Sequence, residues 1–118
     1  MQDFEVAVRT VGGCTLVAVI GELDIATAPE LTAALDEASA LGSERFVVSL
    51  LRTTFIDSTG LTTLFRAHKS GSDGFSIVVA PDNLEVRRVI DLMGFNEVFT
   101  IHESLAAAGC EDGAGPGP

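Results

Sequence analysis

Residues Phe55–Leu61 read Phe-Ile-Asp-Ser-Thr-Gly-Leu. Asp57, Ser58 and Thr59 are all good helix caps, and Gly60 lets backbone or a partner come close. On residue chemistry alone, capping is the commonest use of Asp and Ser at such a place. Two catalytic uses compete with it. Ser58 as a nucleophile would need a base within reach and a third group to orient that base. A nucleophile elbow would read Gly-x-Ser-x-Gly, but Ile56 stands where the first Gly belongs. His68 lies ten residues along the same expected helix, about 15 Å away at ~1.5 Å per residue. His102 is placed by a different loop. Asp57 as a phosphoryl acceptor would follow a central strand, with Glu22 and Asp24 as Mg²⁺ ligands. That chemistry also asks for a Lys at the end of a later strand. The chain's single lysine, Lys69, falls on a helix, and the later strand ends at Ala80-Pro81. The sequence therefore implies no catalytic set, no metal and no cofactor.

The elements that must hold this segment follow from periodicity. Phe4, Val6 and Val8 alternate with polar or small residues, the period of a half-buried strand. Gly12-Gly13 marks a turn and Thr15–Ile20 a second strand, so residues 3–20 are expected to form a hairpin. Thr27 and Glu30 have capping-box spacing around Pro29, ahead of Leu31, Ala34, Leu35, Ala38 and Leu41 at helical spacing. Gly42 is a suitable stop. Phe46–Leu50 reads as a central strand. A second helix starts near Ser58, with Leu61, Leu64, Phe65 and His68 on one face, and Gly71 and Gly74 end it. Phe75–Val79 is the next strand. Asp82 and Glu85 have capping-box spacing before a third helix that buries Val86, Val89, Ile90 and Met93 and closes at Gly94. Val98–Ile101 is a short strand and Ser104–Ala108 a short helix.

The order β-β-α-β-α-β-α-β-α implies an α/β fold with a mostly parallel sheet and an antiparallel N-terminal hairpin. Residues 3–108 form one domain, and 109–118, rich in Gly and Pro, are expected to be a disordered tail. The turn after the third strand then lies at the carboxyl edge of the sheet, where α/β proteins place their sites.

At 118 residues the chain is long enough for one domain and a sizeable core. Seven basic residues against seventeen acidic give a net charge of −10, the wrong sign for nucleic acid or an anionic membrane. The charge is uneven. Glu22, Asp24, Glu30, Asp36, Glu37 and Glu44 precede Arg45, Arg52, Arg66, Lys69, Arg87 and Arg88. Solvated surface is the commonest use of such charge, and the sharper reading is a two-toned surface that orients a protein partner. No apolar run reaches membrane-spanning length, and the N-terminus lacks a secretory signal, so a cytoplasmic location is expected. Cys14 and Cys110 fit neither a disulfide framework nor a zinc site. Cys110 is expected to be exposed and reduced in the tail.

Phe-Ile-Asp-Ser-Thr-Gly-Leu resembles the signature of STAS domains, the family of anti-sigma factor antagonists. Gly21–Leu31 is similar to the family's first block, and Leu92–Ala108 to its C-terminal block. The resemblance implies that Ser58 is phosphorylated by a partner anti-sigma factor that is itself a serine/threonine kinase. The unphosphorylated antagonist would bind that kinase and free a sigma factor. Phosphorylation would release it, and a PP2C-type phosphatase would reset it. The resemblance also implies that Asp57, Thr59, Gly60 and Asp24 surround the acceptor. An interface of Glu22, Asp24, Ser58, Thr62, Thr63 and Arg66, extended by Lys69, is expected, since the exposed side of the second helix lies opposite Leu61, Leu64 and Phe65. Thr59 is a possible secondary acceptor. Ser49, Arg52 and Thr53 depart from the family's usual approach to the signature, which bears on the kinase recognised. The alternative function is a scaffold or sensor module of a stress-signalling complex with a different kinase.

Overall fold

The computed structural model describes residues 4–70 and 74–110. Strands β1 (Glu5–Val11) and β2 (Cys14–Leu23) form the expected hairpin, which turns at Gly12 with a φ of 60°. Helix α1 (Ala28–Ser39), strand β3 (Arg45–Ile56), helix α2 (Ser58–Ser70), strand β4 (Phe75–Val78), helix α3 (Leu84–Leu92), a 3₁₀ turn (Phe95–Glu97) and strand β5 (Ile101–His102) follow. Among the described residues, the five strands lie side by side in chain order. Of their pairings β1–β2 is antiparallel, and the three others are parallel.

Chain order and parallel pairing have one consequence for layering. Right-handed crossovers that always step in the same direction put every helix on the same face of the sheet. Accordingly Leu31, Leu35 and Ala38 of α1, Leu61 and Leu64 of α2, and Val86 and Ile90 of α3 share one core with Val17, Val19, Val48, Leu50, Ile77 and Val79. The opposite face carries a smaller cluster, Cys14, Leu16, Val47 and Val78, covered by Ala108 and Cys110.

Several local expectations give way to tertiary contacts. Thr27 and Glu30 form no capping box. The Thr27 hydroxyl turns back to donate to Glu22 O at 2.8 Å and accepts from the Asp24 amide at 2.9 Å. Asn83, not Asp82, caps α3: its Oδ1 accepts from the Val86 amide while its Nδ2 donates to Thr53 O at 2.8 Å. One side-chain amide thus serves both the helix start and β3. Leu41 lies beyond the end of α1 and Met93 just beyond α3, and both are exposed. The expected strand at Val98–Ile101 is a 3₁₀ exit followed by Ile101–His102. Residues 104–109 close as hydrogen-bonded turns, with Ser104 Oγ accepting from the Ala107 amide, rather than as a helix.

The cysteine reading is overturned outright. Cys14 and Cys110, 96 residues apart, form a disulfide, and Cys110 is 1% exposed. Gly109 is likewise in place, its carbonyl accepting from Arg45 Nε at 3.0 Å. Asp3, Gly71 and residues 111–118 lie outside the described residues.

Candidate functional site

The signature lies where β3 ends and α2 begins. Two register shifts along the β2–β3 pair bring the strand to that point. Ala18 faces Ser49 but Ile20 faces Arg52, so β3 carries one more residue than β2 across the first shift. A bulge of this kind re-aims the side chains that follow it. The three unusual residues sit here. Ser49 is buried on the less covered face and accepts from the Leu51 amide, Arg52 is exposed, and Thr53 is buried and donates from Oγ1 to Val19 O at 2.8 Å.

At the turn itself, the Asp57 amide donates to Leu23 O at 3.2 Å, which locks the exit of β3 to the exit of β2. Asp57 Oδ1 accepts from the Gly60 amide at 2.9 Å, and Asp57 O from the Leu61 amide at 3.0 Å. Asp57 is therefore the helix cap. That assignment leaves the Ser58 hydroxyl uncommitted: Ser58 is exposed, and no hydrogen bond ties its Oγ to another described residue. Helix capping and a free hydroxyl, alternatives when read from sequence, are divided between neighbouring residues.

Gly60 is buried, and the reason is steric. A Cβ there would lie 2.8 Å from Leu23 Cγ, 3.0 Å from Leu23 O and 3.1 Å from Ile56 Cγ1. The backbone that comes close is that of β2, at Leu23.

Glu22, near the end of β2, and Asp24, on the turn that follows, flank Leu23, which joins them to the signature. Asp24 Oδ1 accepts from the amides of Ala26 and Thr27 at 3.0 and 3.1 Å and from the Thr27 hydroxyl at 3.2 Å. Its carboxylate shapes the β2–α1 turn, so any partner contact it makes is added to a structural role. Glu22 is half-buried and pairs with Phe55 across the strands. Glu22, Asp24 and Asp57 are thus partly buried acidic groups along this edge, while the charged residue that shares a hollow with Ser58 is Arg66.

Along α2 the expected interface divides. Thr62 and Arg66 are exposed, and Lys69 is exposed with its ammonium 5.7 Å from the centroid of the Phe65 ring. Thr63 is not on that face. It is 6% exposed and its hydroxyl donates to Thr59 O at 3.0 Å. The reason is that α2 has two neighbours: Leu61 and Leu64 face the sheet, while Thr63 and Ala67 turn toward α1. A single-face wheel misses the second contact. A groove runs from Ser58 and Thr59 along Thr63 and Arg66 to Thr32 and Leu35 of α1, with Thr63 as its floor.

The histidines stand apart from Ser58. His68 is ringed by Phe65, Phe75 and Phe99, with centroids 5.6 to 6.3 Å away. His102 is on β5, where its carbonyl accepts from the Val79 amide.

Comparison with known proteins bears on this arrangement. A family model described as the STAS domain matches residues 5–108. The chain is 29% identical over 104 residues to the anti-sigma-F factor antagonist RsfB of Mycobacterium tuberculosis, a match covering 85% of each protein. A crystal structure of an anti-sigma factor antagonist from Mycobacterium paratuberculosis superposes with a TM-score of 0.83 at 29% identity, covering 90% of this chain and 91% of that one. The Bacillus cell fate determinant SpoIIAA in its phosphorylated form superposes with a TM-score of 0.60 at 16% identity, over 91% of this chain and 97% of that one, a likeness of fold alone.

Proposed function

The chain belongs to the STAS domain family, and from that premise we propose that it is an anti-sigma factor antagonist switched by phosphorylation of Ser58. In its bare form it binds an anti-sigma factor serine/threonine kinase in the cytoplasm and so frees a sigma factor. The kinase then transfers a phosphoryl group to Ser58 Oγ, and a PP2C-type phosphatase removes it. The chain itself is a binding regulator, and catalysis belongs to its partners. The resemblance to an anti-sigma-F factor antagonist along most of both chains supports the role.

The observation that carries the reading is the free, exposed Ser58 hydroxyl beside a cap already supplied by Asp57. Because the cap does not depend on Ser58, esterifying its oxygen breaks no bond of the fold. A phosphate adds about −1.5 to −2 charges at neutral pH. The N-terminus of α2 favours an anion, so the folded state keeps its stability. The partner's surface, fitted to a neutral hydroxyl, instead meets new charge next to Asp57. Release then needs no conformational change.

The direct test is to incubate the protein with its cognate kinase and ATP and map the phosphate by mass spectrometry. Modification is expected on Ser58. Phosphate found elsewhere with Ser58 bare, including on Thr59, overturns the assignment.

The exposed face of α2 gives a second expected outcome. Arg66→Glu and Thr62→Arg are each expected to weaken kinase binding by about tenfold, the effect of a reversed or added rim charge. Unchanged affinity in calorimetry removes this face from the interface. Thr63→Arg is no test of it, since a charge at that buried position disturbs α1–α2 packing.

A further inference from the structure

We propose that Cys14 and Cys110 are a thiol–disulfide exchange site that latches residues 103–110 over the second face of the sheet. All three described helices lie on the other face. On the second face, Leu16, Val47 and Val78 are at most 3% exposed, and their cover includes Ala108, Cys110 and the partly buried Leu105.

The segment's own hydrogen bonds point inward. The amides of Ala107 and Ala108 donate to Ser104, that of Gly109 to Ala106 O, and that of Cys110 to Leu105 O. Such bonds shape the segment without fastening it to the sheet. Apart from the disulfide, the described ties to the rest of the chain are one hydrogen bond from Arg45 Nε to Gly109 O, one Arg87–Glu103 ion pair at 3.7 Å, and apolar packing. The hydrogen bond comes from an exposed Arg45, and the ion pair joins a half-buried Arg87 to an exposed Glu103, so both are open to solvent screening and contribute little. The covalent link is the dominant fastening.

This inference rests on the proposed function in one respect. A protein acting on sigma factor control works under cytosolic thiol reductants, where protein disulfides are mostly transient or redox-sensing. The chemistry balances with a dithiol reductant. Its thiolate attacks one sulfur and forms a mixed disulfide while the other cysteine leaves as a thiolate and takes a proton. The reductant's second thiol then displaces the first cysteine, so the reductant leaves as a disulfide and both Cys14 and Cys110 are thiols. Cys14 and Cys110 are 0% and 1% exposed, so a reductant reaches the bond only when residues 104–109 loosen locally around the still-tethered Cys110, and the segment lifts once the bond is cut. The latch holds against brief reduction and opens under sustained reduction. Opening uncovers Leu16 of β2 and its cross-strand neighbour Val47 near the amino end of β3, at the opposite end of β3 from Ser58.

Amide hydrogen exchange on the full chain tests this without any kinase, so its outcome is separable from the Ser58 reading. The oxidised protein, the protein reduced with dithiothreitol, and the Cys110→Ser variant without reductant are compared. Reduction and Cys110→Ser are both expected to speed exchange at positions 108–110 by roughly tenfold or more, while the amides of α1 and α2 keep their rates. Equal rates at 108–110 in all three forms overturn the latch, because packing alone would then hold the segment. Faster exchange in α1 and α2 as well also overturns it, since the disulfide would be a staple of the whole fold. Two free thiols by mass in the air-oxidised protein do the same.

Discussion

Ser58→Glu is expected to bind the anti-sigma kinase at least tenfold, and up to several hundredfold, more weakly than the bare protein, with each ~1.4 kcal/mol worth a factor of ten. Ser58→Ala is expected to bind as tightly as the parent and to resist phosphorylation. The difference isolates charge, because both variants remove the same hydroxyl from the same exposed site. Like charges brought together at an interface cost several kcal/mol, and a partner surface that accommodates the partly exposed carboxylate of Asp57 gains a second negative group next to it. Both variants should stay within about 0.5 kcal/mol of the parent in urea denaturation, as substitutions at an exposed site without partners do. The carboxylate that Ser58→Glu introduces has in addition the favourable end of the α2 dipole beside it. Calorimetry on the three proteins decides the matter. Equal affinities would mean that release depends on something other than the charge at position 58.

Gly60→Ala has the next largest expected effect, and it falls on stability. The added methyl would meet Leu23 Cγ at 2.8 Å and the Leu23 carbonyl oxygen at 3.0 Å. Leu23 is wholly buried, so its side chain has little room to retreat. Its carbonyl also accepts the Asp57 amide, so moving the backbone would loosen the tie between the two turns at the carboxyl edge. Overpacking of this kind costs about 1–3 kcal/mol. A urea midpoint lowered by that amount with an unchanged slope is the expected result. A change below about 0.5 kcal/mol would show that the turn adapts freely. Kinase binding should weaken as well, since α2 would start from a displaced Leu23 and carry Ser58 with it.

Much of this site is legible in the chain itself, because its signals are local. Asp57, Ser58 and Gly60 announce a strand-to-helix turn within a few residues. The alternation in β1, the Gly12-Gly13 turn and the Leu61–Leu64 spacing are patterns complete within one element. For the same reason the rest is hidden. Whether Asp57 or Ser58 caps α2 depends on which of two adjacent oxygens reaches the Gly60 amide. That geometry follows from the Asp57–Leu23 hydrogen bond between strands, not from residue preference. Asn83 rather than Asp82 is the cap of α3, and its side chain also reaches Thr53 O. Thr63 reads as exposed on a helical wheel because a wheel shows only the angle between residues and not how many neighbours the helix has.

The two cysteines mark the boundary most clearly. Nothing within ten residues of either one indicates a bond, and the Gly- and Pro-rich end after Cys110 argues for an open tail. Their pairing follows only once β2 and β3 align in parallel register and the chain returns past β5 to the second face. Sequence by itself determined the kinds of element, most of their order, the family signature and the place of Ser58 in it, since these are written in short-range periodicity and residue type. Tertiary structure alone decided which oxygen stays free, which helix face is covered twice, and which thiols meet across 96 residues. Those outcomes depend on register and distance between segments, which no single stretch of chain specifies.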